Sequence, residues 1–111
     1  MAGKFVISKR SNGEFQFVLK AANGEPILSS EGYSAKASCS NGIESVRRNS
    51  QDYKRYELET ASNGKLYFNL TASNGQVIGT SQMYADPGGR EGGIASVKVN
   101  APTATVDDTT D

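Results

Sequence analysis

Residues 4–52 and 55–103 are two copies of one unit, aligned without a gap at a fixed offset of 51. Of the 49 aligned pairs, 16 are identical, in order and in register. Ser11-Asn12-Gly13 meets Ser62-Asn63-Gly64, Phe17, Leu19 and Ala21 meet Phe68, Leu70 and Ala72, and Gly42-Ile43 meets Gly93-Ile94. A unit of this size buries too little apolar area alone to offset the entropy of ordering it, so the copies are expected to share one core. Solenoids and propellers need three or more units. Two copies therefore predict a single pseudo-two-fold domain over residues 1–103, although one continuous sheet and two packed sheets both satisfy the pattern.

Each copy carries Asn-Gly between short alternating runs, the signature of hairpin turns, and is predicted to open with a three-stranded meander. Phe5 and Ile7 align with Tyr56 and Leu58 as core positions, and Glu57 and Glu59 mark the solvent face of the first strand. In the second strand Phe15, Phe17 and Leu19, with Leu66, Phe68 and Leu70, share the inner face. Gln16, Val18 and Lys20, with Tyr67, Asn69 and Thr71, share the outer one. After Tyr33 the period changes. Ser34 reads as a helix cap, Cys39, Ile43 and Val46 as a buried stripe, and Arg47 and Arg48 as cations in the last turn. Gly42 and its equivalent Gly93 lie inside the helices at a cost of about 1 kcal/mol each, which predicts close packing there. In the second copy Asp86-Pro87 supplies a cap and first position, but Gly88, Gly89, Gly92 and Gly93 predict a shorter or frayed helix. The fold class is thus α+β: tandem β-β-β-α repeats, an antiparallel sheet with helices on one face. Residues 104–111 are acidic and aperiodic and are predicted to be a disordered tail.

The turns Ser11-Asn12-Gly13 and Ser62-Asn63-Gly64, Tyr67-Phe68-Asn69-Leu70, Ser81-Gln82-Met83-Tyr84, and the helix motifs from Gly42 to Arg47 and from Gly93 to Lys98 carry a likeness to a known family. Over residues 1–101 the chain resembles the YegP-like family of small bacterial proteins. The resemblance implies a β-β-β-α unit repeated twice, and dimers for relatives holding a single copy. It supplies no catalytic residue.

The chain contains no histidine, which removes the commonest general base and the usual Ser-His and Cys-His nucleophile pairs. Cys39 is the single cysteine, so no internal disulfide or cysteine metal cluster forms, and it reads as small core filler. The carboxylates form no spaced calcium or glycosidase motif. The segment from Asp86 to Gly93 has the glycines of an anion-binding helix start, with Arg90 nearby, but lacks the Lys-Ser or Lys-Thr of a P-loop. The expectation is a protein that is not an enzyme and has no metal or cofactor.

The start, MAGKFVISKR, is too short in apolar residues for a signal peptide or spanning helix, so a cytoplasmic monomer is expected, with no membrane contact. Residues 1–100 hold twelve cations against nine acids, a mildly basic body of +3, and the remaining aspartates lie in the tail. The open sheet face, with Arg10, Gln16, Lys20, Tyr67 and Asn69, is the candidate binding surface. Its mixed polar, basic and aromatic character points to a protein-interaction module, with weak binding of single-stranded RNA or DNA as the alternative. One aromatic is fewer than base-stacking platforms usually present, and Glu57 and Glu59 share that face.

Overall fold

A computed structural model describes residues 3–110. The first copy runs β1 (Lys4–Lys9), β2 (Phe15–Lys20), β3 (Pro26–Ser29) and α1 (Lys36–Asn49). The second runs β4 (Tyr56–Thr60), β5 (Leu66–Thr71), β6 (Val77–Thr80) and α2 (Pro87–Asn100), and a last strand, β7 (Thr105–Asp108), follows. All seven strands form one continuous sheet in the order β4-β5-β6-β3-β2-β1-β7. Antiparallel pairing joins every neighbouring pair except β1 and β7, which run parallel.

The copies meet at the middle of the sheet, where Ser29 of β3 pairs with Thr80 of β6. These residues are equivalent in the duplication, so the pseudo-two-fold axis passes between them. α1 packs over β2 and over β5 and β6 of the other copy, and α2 packs over β5 and over β3. The core is therefore joint. Phe5, Phe17, Leu19, Leu28, Ile43 and Val46 are buried together with Tyr56, Phe68, Leu70, Ile94 and Val97. Phe17 touches Phe5 edge-on at 5.7 Å between ring centroids and stacks on Tyr33 at 6.3 Å. Phe68 does the same with Tyr56 at 5.5 Å and Tyr84 at 6.4 Å.

The four Asn-Gly turns share one geometry, and it is not the two-residue hairpin. Only the glycines are left-handed, with φ of 90° at Gly13, 87° at Gly24, 85° at Gly64 and 87° at Gly75. Each asparagine instead uses its side chain. Asn12 Oδ1 accepts the Glu14 N–H at 3.0 Å, and Asn23, Asn63 and Asn74 repeat the bond at the same length.

The helices correct two expectations. Ser34 is not the cap of α1: Ala35 holds that position and makes no side-chain bond. α2 is neither short nor frayed, since both helices have 14 residues. Asp86 Oδ1 accepts the Gly89 N–H at 2.7 Å and Pro87 opens the helix, as the pattern predicted, and burial of Ile94 and Val97 on the sheet holds the rest. The glycines have a steric purpose too. A Cβ on Gly93 would collide with the hydroxyl of Tyr84, and one on Gly42 with that of Tyr33, so these tyrosines rest directly on helical backbone. The packing reason expected for the glycines holds, with the tyrosines as the main contact.

The tail is the largest correction. Residues 104–111 were expected to be disordered; Asp111 lies outside the described residues, and Thr105–Asp108 form β7 along the outer edge of β1. The Thr105 N–H donates to Gly3 O at 3.3 Å, and the Thr109 N–H and hydroxyl donate to Ile7 O at 3.0 and 2.7 Å. The two acids of β7 are matched: Asp107 lies 3.8 Å from Lys4 and Asp108 2.9 Å from Lys36. Pairing of the free edge of β1 and these two ion pairs order a segment that has no hydrophobic period of its own.

Candidate functional site

Both helices lie on one side of the sheet, so every second residue of each strand turns to a face with no covering layer. The strand register aligns these residues into rows. The central row runs Val6, Val18 and Ser29 across the first copy, then Thr80, Asn69 and Glu57 across the second, with Asp107 of β7 beyond Val6. It is symmetric in position and asymmetric in chemistry: valines on one side of the axis, amide and carboxylate on the other.

The five candidate residues all belong to this side of the molecule, but they fall into separate groups. Arg10 and Gln16 are brought together. Arg10 Nε donates to Gln16 Oε1 at 2.6 Å, its Nη2 reaches Ser30 O at 3.4 Å, and Glu14 lies 3.9 Å away. Gln16 Nε2 in turn donates to Ser8 Oγ at 3.3 Å. Lys20 stands at the opposite end of β2, beside Lys4 across the β1–β2 pair. Tyr67 and Asn69 lie on β5, three strand spacings or about 14 Å from β2. Asn69 Oδ1 accepts the Thr80 hydroxyl at 2.8 Å and the residue lies opposite Glu57, while half-buried Tyr67 lies opposite Glu59. The arrangement is a broad surface of both charge signs and not a convergent pocket.

Sequence reasoning missed Ser29 and Thr80 at the centre of this face. Their alignment to each other across the duplication was the available signal. It also missed Asp107, because the tail was not read as a strand. A shallow cavity of about 400 Å³ sits at one edge, lined by Gly3, Lys4, Ala21, Ala22, Asn23, Gly24 and Thr105. Among the described residues Lys4 is the one titratable group in its wall.

The groups that would carry chemistry are placed for packing. Burial, with a smaller push from the Asp108 charge, raises the Cys39 thiol above its ordinary value, which keeps it protonated inside the core. Burial likewise raises the Tyr56 phenol, whose hydroxyl donates to Ser50 O at 2.8 Å. At the glycine-rich helix start, the carboxylate of Asp86 occupies the backbone N–H that an anion would use. Arg90 turns away to donate from Nη1 to Glu59 O at 3.2 Å. Among the described residues, no group of three or more Cys, Asp or Glu could hold a metal ion, and no helix is long and apolar enough to cross a membrane.

A family described as "Domain of unknown function (DUF1508)" matches the chain twice, at residues 11–57 and 61–108. The chain belongs to this DUF1508 family. Each match begins at the turn before β2 or β5 and runs through the helix into the next strand, so the second DUF1508 unit ends in β7. The UPF0339 protein YegP of Escherichia coli O6:H1 is 62% identical over 110 residues, covering 99% of this chain and 100% of that protein. A UPF0339 protein of Shewanella oneidensis is 54% identical, covering 99% of this chain and 100% of its own length. Two solution NMR structures share the fold: yegP from E. coli at a TM-score of 0.94 and 60% identity, covering 99% of this chain and 95% of that one, and a Shewanella oneidensis UPF0339 protein at 0.93 and 54%, covering 99% and 93%. These two DUF1508 relatives thus share the duplicated architecture over 95% and 93% of their chains.

Proposed function

We propose that this protein is a non-catalytic binding or protein-interaction module, a cytoplasmic monomer without a cofactor, whose contact surface is the open face of the sheet. The observation that carries this reading is the composition of that uncovered face. Val6 and Val18 stand side by side on one half, Lys4 and Lys20 flank them, and Tyr67 lies among Glu57, Glu59 and Asn69 on the other half. Apolar, aromatic and oppositely charged groups in separate zones suit a protein partner. Three carboxylates on the same face, Glu57, Glu59 and Asp107, count against a phosphate backbone as the ligand.

The test uses one variant carrying Arg10→Ser, Lys20→Ser and Tyr67→Ser, with folding verified by its amide spectrum. These side chains project from the face without entering the core, so the fold is expected to survive. The variant should fail to retain the protein that wild type retains from native lysate. Unchanged retention by the folded variant refutes the assignment. Retention of nucleic acid, with affinity falling steeply with salt, would replace it by the single-stranded nucleic-acid reading.

A further inference from the structure

We propose that the outer edge of β4 is a docking site for an extended basic segment of a partner protein, taken up as an eighth strand parallel to β4. The proposal rests on the interaction-module reading and adds to the open face a second contact, at one edge of the sheet.

β4 is an end of the sheet. The bond from the Ala61 N–H to Lys65 O fixes the phase of the β4–β5 ladder, so Glu57 and Glu59 bond inward and Tyr56, Leu58 and Thr60 turn their backbone outward. The Tyr56 N–H is used by Tyr53 O. What faces outward is the Tyr56 carbonyl and both backbone groups of Leu58 and Thr60.

The molecule contains a template for filling such an edge. β1 is the equivalent of β4 in the duplication, and its edge is covered by β7 running parallel, with Phe5 beside Val106, Val6 beside Asp107 and Ile7 beside Asp108. Ile7, under that strand, is 2% exposed, whereas its equivalent Leu58 is 44% exposed. Leu58 is thus an intended core position that lacks the strand its counterpart has.

Charge decides the occupant. The β1 edge offers Lys4 and Lys36 to the acids of β7. On the β4 edge Lys4 is matched by Arg55, which is engaged by Asp52 at 3.7 Å, while Val6 and Ser8 are replaced by Glu57 and Glu59, and Lys36 by Pro87. The tail of a second copy docked in the same register would place its Asp107 beside Glu57. Antiparallel pairing of β4 with β4 would oppose the two glutamates to their own copies. Like charges directly opposite one another destabilise a strand pair, so both self-pairings are disfavoured and an oppositely charged strand is selected. By the β1–β7 register the occupant has an apolar residue beside Tyr56, Lys or Arg beside Glu57, an apolar residue over Leu58, and Lys or Arg beside Glu59.

The experiment titrates the isotope-labelled full chain with a synthetic Thr-Val-Lys-Val-Lys peptide and with its Thr-Val-Asp-Val-Asp counterpart, following backbone amides. The basic peptide should shift Leu58 and Thr60 saturably, and the acidic one should bind about tenfold more weakly or worse. Glu57→Lys with Glu59→Lys should invert that preference. Leu58→Pro, which removes an outward donor and no bond to β5, should abolish binding. The triple variant of the open face should titrate like wild type, so that loss of the face reading and loss of this one are told apart. Shifts confined to residues away from β4, equal affinity for both peptides, or a preference unchanged by the charge-reversed pair would overturn the proposal.

Discussion

Leu28 and Gly79 occupy equivalent places in the two copies and meet near the pseudo-two-fold axis, where symmetric side chains cannot both fit. Leu28 is 1% exposed. A Cβ built on Gly79 would lie 2.7 Å from both Cγ and Cδ2 of Leu28, closer than any real contact of that kind. Leu28→Ala should therefore destabilise by about 2.7–5 kcal/mol, the usual range for a leucine lost from a core that collapses only partly. Gly79→Leu should cost about 1–3 kcal/mol or more through overpacking, not through backbone strain, because Gly79 is not among the left-handed glycines. Moving the leucine across the axis, in the double variant Leu28→Ala with Gly79→Leu, refills the same space and should fall within about 1.5 kcal/mol of wild type. The coupling is then at least about 2 kcal/mol, toward the upper end for residues in contact. Urea denaturation at unchanged slope reads it directly: at about 1.5 kcal/mol/M, the Leu28→Ala loss moves the midpoint by about 2 M and the second substitution restores most of it. Additivity of the two single costs within about 0.5 kcal/mol would show that Leu28 and Gly79 do not share one volume, and would refute the joint core at the axis.

Phe17→Ala and Phe68→Ala should each cost about 3–5 kcal/mol in the same assay, since both rings are fully buried and hold equivalent aromatic neighbours; a cost below about 0.5 kcal/mol for either would reverse the assignment of strand faces. The Lys36 ammonium, and after it the Thr110 hydroxyl and N–H, hold the Asp108 carboxyl at about 2 against an ordinary 3.8. A carboxylate with a depressed folded pKa stabilises fully above its unfolded value and loses that contribution as pH falls through the folded one. Docking of β7 should accordingly weaken between pH of about 4 and about 2, read as falling protection of the Thr109 amide relative to its intrinsic exchange rate at each pH while the β5 amides stay protected, and Asp108→Asn should show the lowered protection at neutral pH. Protection at Thr109 indifferent to both changes would remove the ion pair from the account of β7.

Much of the fold was legible because duplication doubles every signal. Alternation at Phe17 and Leu19 is repeated at Phe68 and Leu70, and a helix seen clearly around Ile43 identifies a second one around Ile94 despite its glycines. What was not legible depends on contacts between distant segments. The pairing of β3 with β6 rests on the single register pair Ser29 and Thr80, which no local pattern encodes. The full length of α2 follows from Asp86 and from the sheet beneath it, a tertiary effect that overrides propensity. β7 has four residues with two adjacent aspartates and takes its order from Lys4, Lys36 and the edge of β1. Of the candidate surface, the facing of Tyr67 and Asn69 could be read from alternation. Their distance from Arg10 could not, because it depends on strand order.

The parallel pairing of β7 with β1 also bears on the order of events in folding. The hydroxyl bond from Thr109 to Ile7 O spans 102 residues, nearly the whole chain. Closing so long a loop carries a large entropic penalty, and little apolar area offsets it, since Thr105, Val106 and Asp107 are all exposed. β7 is therefore expected to dock after the rate-limiting barrier, once both meanders and their helices are in place. Its contacts then slow the escape from the native state and leave the rate of reaching it unchanged, so the last strand acts as a kinetic latch on a scaffold already formed.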